Sequence, residues 1–128
     1  MANLKLVTGT QMAEIDRRTI ESGVASGVEL MERAGKRVVE VIGDEWDGLD
    51  QLAVVVVCGK GNNGGDGLVI SRLLHSGGVH QRTFLAAAAE QNEGAAAHHL
   101  KLFQAAGGQV EELVQESDLH ALGDALAE

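Results

Sequence analysis

Apolar residues in this chain recur first with a helical period and then in short runs. Thr8-Gly-Thr-Gln11 is a capping box, with a hydroxyl and an amide three residues apart that can satisfy each other's backbone N–H groups. It predicts a helix to about Glu21, with Met12, Ile15, Thr19 and Ile20 on its inner face. Ser26-Gly-Val-Glu29 is a second box. It opens a longer helix whose stripe is Val28, Met31, Gly35, Val38, Ile42 and Trp46. Leu52 to Val57 is continuous, apolar and β-branched, the pattern of a strand buried on both faces of a parallel sheet.

The two periods then alternate. A helix is predicted over 67–76, with Leu68, Leu73 and Leu74 as its apolar residues, and a strand over 81–87. Another helix follows over 94–106, with Ala96, Leu100 and Phe103 on one face, and then a short strand over 109–114. A last helix spans 117–127, with Leu119, Leu122 and Leu126 in register. Gly77-Gly78 and Gly107-Gly108 end the two middle helices, as glycine does at helix C-termini. Two helices followed by β-α-β-α-β-α predict a doubly wound α/β fold with parallel strands and right-handed crossovers. Residues 1–128 read as one domain.

Composition narrows the function classes. The net charge is −9. Residues 1–89 carry 9 basic and 11 acidic side chains, and residues 90–128 carry 1 and 8, so the excess acid is C-terminal. That excludes a nucleic-acid surface, which needs clustered Lys and Arg. With Trp46, Phe84 and Phe103 as the whole aromatic complement, no base-stacking platform can form. No apolar run reaches the length of a membrane span, and the N-terminus lacks an apolar signal-peptide core. The single cysteine allows no intramolecular disulfide, and the expected location is cytoplasmic.

The chemistry concentrates in Cys58-Gly-Lys-Gly-Asn-Asn-Gly-Gly-Asp-Gly67, which follows the Val54–Val57 run directly. Glycine between strand and helix lets backbone N–H groups approach a ligand, and the helix that follows presents its positive end to anions. Gly59-x-Gly61-x-x-Gly64 matches the spacing of the dinucleotide fingerprint. The acid that should end the second strand is missing, because that strand runs into Leu85-Ala-Ala-Ala-Ala89 and Glu90 comes late. Lys60 lacks the Gly-Lys-Ser/Thr setting of a P-loop and reads as a solvated charge. Asn62, Asn63 and Asp66 add oxygen donors of the kind hard cations take, and Asp66 also suits a helix cap. Cys58 reads as a small buried hydrophobe. His98 and His99 point about 100° apart on a helix, so they cannot grip one metal, and both are expected at the surface. Glu32 and Arg33 are left between a neighbouring pair and a subunit interface.

CGKGNNGGDGLVISRLL resembles the signature of the NAD(P)H-hydrate epimerases, the YjeF N-terminal domain. VTGTQMAEIDRRTI and VELMERAGKRVVE resemble the family's first two helices, so the similarity covers essentially the whole chain. The resemblance implies a Rossmann-like three-layer α/β/α sandwich with parallel central strands, and an isomerase that interconverts the R and S epimers of hydrated NADH and NADPH at nicotinamide C6. A dehydratase, fused or separate, then restores the S epimer to the coenzyme. By position, Asn62, Asn63, Gly64, Gly65 and Asp66 would contact the hydrated nucleotide, and Asn63 would ligate potassium. A homodimer is implied. In the family, a later strand and loop carry a GTG-type segment, further potassium ligands and the acid/base aspartate, and nothing in this chain matches them. No catalytic residue is therefore expected here. The chain is expected to be C-terminally truncated, inactive alone, and either marginally stable or self-associated. The alternative is a non-catalytic dimerisation or protein-binding module of the same fold. An ordinary NAD dehydrogenase domain is disfavoured by the missing acid.

Overall fold

The structure is a computed structural model and describes residues 6–23 and 25–127. Helix α1 (Gly9–Glu21) opens on the expected box: the Thr8 N–H donates to Gln11 Oε1 at 2.8 Å, and the Gln11 N–H to Thr8 Oγ1 at 3.0 Å. Helix α2 (Gly27–Glu45) opens on Ser26, whose hydroxyl accepts from the Glu29 N–H. Then follow β1 (Ala53–Cys58), α3 (Asn62–Ser76), β2 (His80–Leu85), α4 (Gly94–Ala105), β3 (Val110–Glu112) and α5 (Leu119–Ala127). The strands form a parallel sheet in the order β1-β2-β3, with Val56 beside Thr83 and Thr83 beside Val110.

The core lies between the sheet and the α3–α4 pair. Cys58, Leu68, Leu85, Leu100 and Phe103 form it, with Val56, Ala89 and Val110 packed against them. Both crossover helices end alike. Gly78 and Gly107 take positive φ, and the N–H of the next residue returns to Leu74 O and Phe103 O respectively. This is the closure that glycine permits at a helix C-terminus.

Several expectations change. The third helix begins at Asn62, not at residue 67, so residues 62–66 are helical. The turn proper is residues 59–61. Of the three described strands β2 is the middle one and β1 lies at an edge. α3 packs on one face of β1, and Val57 on the other face is 55% exposed rather than buried. The α2 stripe is buried at Met31 and Gly35 only, while Val38 and Trp46 are exposed, because α2 meets α3 through its N-terminal half. Met12, Ile15 and Ile20 of α1 are nearly half exposed, and Met12 and Ile20 line a cavity of about 510 Å³ between α1 and α2. In α5 the buried residue is Ala125, with Leu119 and Leu126 exposed. That helix starts two residues late, after a 3-10 turn over Glu116–Asp118.

The α2–α3 contact yields a sharp test. A Cβ on Gly35 would lie 2.4 Å from Val69 Cγ1 and 2.6 Å from Val69 Cβ, whereas a Cβ on Gly43 of the same helix meets nothing within 4 Å. Val69 is β-branched and fully buried, so it has no free rotamer to give way. Gly35→Ala is expected to destabilise by about 1–3 kcal/mol through overpacking. Gly43→Ala is expected to stabilise by about 0.5–1 kcal/mol through helix propensity. Urea unfolding of the two variants checks the pair.

Candidate functional site

The site grows from one steric fact at the end of β1. A Cβ on Gly64 would stand 1.7 Å from the Gly59 carbonyl oxygen, so a side chain there would push α3 off the strand. Gly65 lies against Met31 of α2 and Ala96 of α4, and Gly67 against the Cys58 sulfur of β1. Three of the five glycines in residues 58–67 thus dock the start of α3 on its neighbours. Gly59 and Gly61 differ, because a Cβ there would meet nothing within 4 Å, and the backbone is open to whatever approaches.

Gly61 is the N-cap of α3, and among the described residues no side-chain cap hydrogen bond is made there. The helical ladder begins with the Gly65 N–H donating to Gly61 O at 3.1 Å. The N–H groups of Asn62, Asn63 and Gly64 precede it and point outward at the positive end of the helix dipole. This end opens beside a cavity of about 290 Å³, lined by Lys60, Gly61, Gln91, Glu93 and Ala96, at the C-terminal ends of β1 and β2. Open α/β sheets take their ligands at that end. Lys60 is exposed, as expected. A second cavity of about 500 Å³, walled by His75, His80, Arg82 and Glu111 among others, lies at the opposite ends of the strands.

Asn62 and Asn63 are described in their backbone only, so the roles expected of their side chains fall outside the described residues. Asp66 is half-buried and faces the cavity between α1 and α2, together with Asp16, Met12, Ile20, Leu30 and Met31. Burial raises its carboxyl above the ordinary 3.8, and the charge of His99 opposes that shift. Cys58 is buried, and burial pushes its thiol up to about 11, so it is a core residue and no nucleophile. Among the described residues no group of three His, Cys, Asp or Glu side chains could hold a metal ion, and no helix is long and apolar enough to cross a membrane.

The largest correction is His99. It is 1% exposed, not at the surface, and its Nε2 lies 3.0 Å from Val28 O of α2. His98 is exposed, as expected. The signal was available: His99 is three residues past Ala96 and four before Phe103, on the apolar face of α4. Glu32, left open from sequence, pairs with Arg72 of α3. Asn92 was not anticipated. It is 7% exposed, and its buried Oδ1 has no partner.

A family model described as YjeF-related protein N-terminus matches residues 27–126. The Bifunctional NAD(P)H-hydrate repair enzyme Nnr of Moorella thermoacetica is 39% identical over 122 residues, covering 94% of this chain and 23% of that protein. The NAD(P)H-hydrate epimerase of Rhodobacter capsulatus is 47% identical over 79 residues, covering 58% of this chain and 37% of that one. The crystal structure of yeast ynu0 superposes with a TM-score of 0.67 at 30% identity, covering 85% of this chain and 47% of that one. The chain therefore spans less than half the length of each.

Asp66 gives a test whose sign is set. A raised carboxyl means that the folded chain holds the proton more tightly than the unfolded chain. The stability this contributes is complete below the unfolded value and is lost as pH rises through the folded one. Near neutral pH the half-buried carboxylate is a net cost. Asp66→Asn is thus expected to melt above the parent at pH 7, with the gain shrinking towards pH 3. Calorimetry across that range checks it; no gain at pH 7 would mean that the carboxylate is already compensated.

Proposed function

The chain belongs to the family of YjeF-related N-terminal domains, and we propose that it binds hydrated NADH and NADPH at the β1–α3 junction as part of an NAD(P)H-hydrate epimerase. The observation that carries this reading is the glycine-capped start of α3. Three uncapped N–H groups stand at the end of a parallel strand, beside open glycine backbone and Lys60. A phosphate suits such an end, because donors and dipole both favour negative charge. Asn62, Asn63, Gly64 and Gly65 then contact the nucleotide, the glycines through their backbone, and Asp66 contacts it from the side of the α1–α2 cavity that it lines.

The reaction inverts nicotinamide C6 of the hydrate, and the residues of this chain bind and orient the substrate. None is assigned the proton transfer. Potassium suits the site by donor type. Amide oxygens are the hard ligands that alkali and alkaline-earth cations take, and the orphaned buried Asn92 Oδ1 is such an oxygen on the loop after β2. Asn63 is the proposed ligand, and a bound cation would neutralise phosphate charge. The partner reaction is the dehydration that consumes the S epimer; the Moorella thermoacetica relative is named as a bifunctional hydrate repair enzyme.

Titration calorimetry with each hydrate epimer and with NADP⁺, in potassium and in its absence, tests the reading. Asn62→Ala and Asp66→Ala are expected to weaken nucleotide binding about tenfold, the cost of one lost hydrogen bond of ordinary strength. Asn63→Ala is expected to abolish the potassium dependence. Melting in the absence of ligand is expected to show all three variants folded. Equal affinity in the parent and the three variants would make the segment a packing device only.

A further inference from the structure

Where α2, α3 and α4 meet, two buried polar atoms have no hydrogen-bond partner: His99 Nδ1 on α4 and Arg72 Nε on α3. Buried polar groups are nearly always paired, so each orphan needs a reason. Both residues line one cavity of about 290 Å³, with Val28 and Glu32 of α2 beside them. That cavity shares no lining residue with the one beside Gly61.

The chemistry of the two orphans is complementary. A carbonyl only accepts, so His99 Nε2 carries a proton and donates it to Val28 O at 3.0 Å. In the neutral ring Nδ1 is then a lone pair. It lies 3.8 Å from Glu32 Oε2, beyond hydrogen-bond range. Two acceptors at that spacing are satisfied together by one group that brings two hydrogens, an NH2. Arg72 engages Glu32 through Nη2, which leaves Nε as a donor in want of an acceptor. An acceptor bonded next to an NH2 is a primary carboxamide. The charges agree: Glu29 and Glu32 are offset by Arg33 and Arg72, so the lining favours a neutral ligand. Val28 and the partly exposed Leu102 add apolar wall, and the volume, at the low end for small-molecule sites, suits a single ring.

We propose that this cavity is a second ligand site, separate from the start of α3, for a small planar primary carboxamide. The NH2 bridges His99 Nδ1 and Glu32 Oε2, the carbonyl oxygen accepts from Arg72 Nε, and the ring lies against Val28 and Leu102. Glu32 and Arg72 are both partly exposed, and they shift together to admit the amide to the buried Nδ1.

The experiment titrates benzamide and nicotinamide into the whole chain at about pH 8, where free imidazole is neutral, and follows ¹⁵N NMR of the amides and the histidine rings. Both probes should saturate with a dissociation constant of about 1 mM or below. The amides of Val28 to Arg33 and of His99 to Leu102 should move, and the His99 Nδ1 resonance should move while Nε2 holds. Benzoate and N,N-dimethylbenzamide keep the ring but lose the NH2, and should bind about tenfold more weakly or worse. Glu32→Gln, which puts a neutral oxygen where the carboxylate stood, should weaken benzamide about tenfold. The ligand series needs no variant, so it decides the matter even if that substitution disturbs the fold. Benzoate binding as tightly as benzamide, a His99 Nδ1 resonance that stays put through the titration, or no saturation well above the expected constant overturns the proposal. Benzamide shifts confined to the start of α3 overturn it too and leave the proposed function standing. A chain that binds no nucleotide while benzamide moves His99 Nδ1 does the reverse.

Discussion

Everything at the proposed site depends on how near α3 can come to the strand that precedes it. The Gly59 carbonyl occupies the place where a side chain on residue 64 would begin. With no side chain there, the helix axis can start at the very end of β1, and its first N–H groups emerge at the sheet edge instead of a turn higher. Gly65 and Gly67 extend the same closeness to α2, α4 and the Cys58 sulfur, and Gly35 repeats it from the side of α2. Interiors pack at close to crystal density, so a helix seated this tightly has one position and its terminus one direction. A rigid, bare helix end is a poor thing to bury but a good one to offer to phosphate.

That arrangement has costs. Glycine in a helix forfeits roughly 0.5–1 kcal/mol against alanine at each position. The first turn of α3 goes uncapped where Ser or Asp would contribute about 1 kcal/mol. Asp66 is held where burial disfavours its charge. Each choice opposes stability at the same end of the same helix, and concentrated local opposition of this kind marks functional sites. The Glu32–Arg72 pair and the buried His99 supply compensating contacts one layer behind.

The architecture was readable wherever a period or a cap spoke clearly. The box at Thr8 and Gln11, the β-branched run of β1 and the double glycines after α3 and α4 predict elements that the structure contains. The start of α3 is not legible in the sequence for a physical reason: four glycines and two asparagines between residues 61 and 67 have poor helix propensity, and only tertiary contact reveals that the glycines are there for proximity. The burial of His99 is legible on the helix face through Ala96, Leu100 and Phe103, but its adjacency to His98 points away from that face. The exposure of Val57 and Trp46 could not be read from residue type, because apolar residues mark where a chain can be covered and not what covers it. Membership of the family was visible in the NNGGDG core and its distance from the second helix.

The most direct measurement is a ¹⁵N amide shift map of the chain titrated with NADP⁺ or the hydrate. If the start of α3 is the binding end, the amides of Gly59 to Asp66 move first and furthest, together with those of Gln91 to Ala96 across the small cavity. If the largest shifts fall instead at His75, His80 and Gly107, at the opposite ends of the strands, the ligand is bound elsewhere and the central assignment fails.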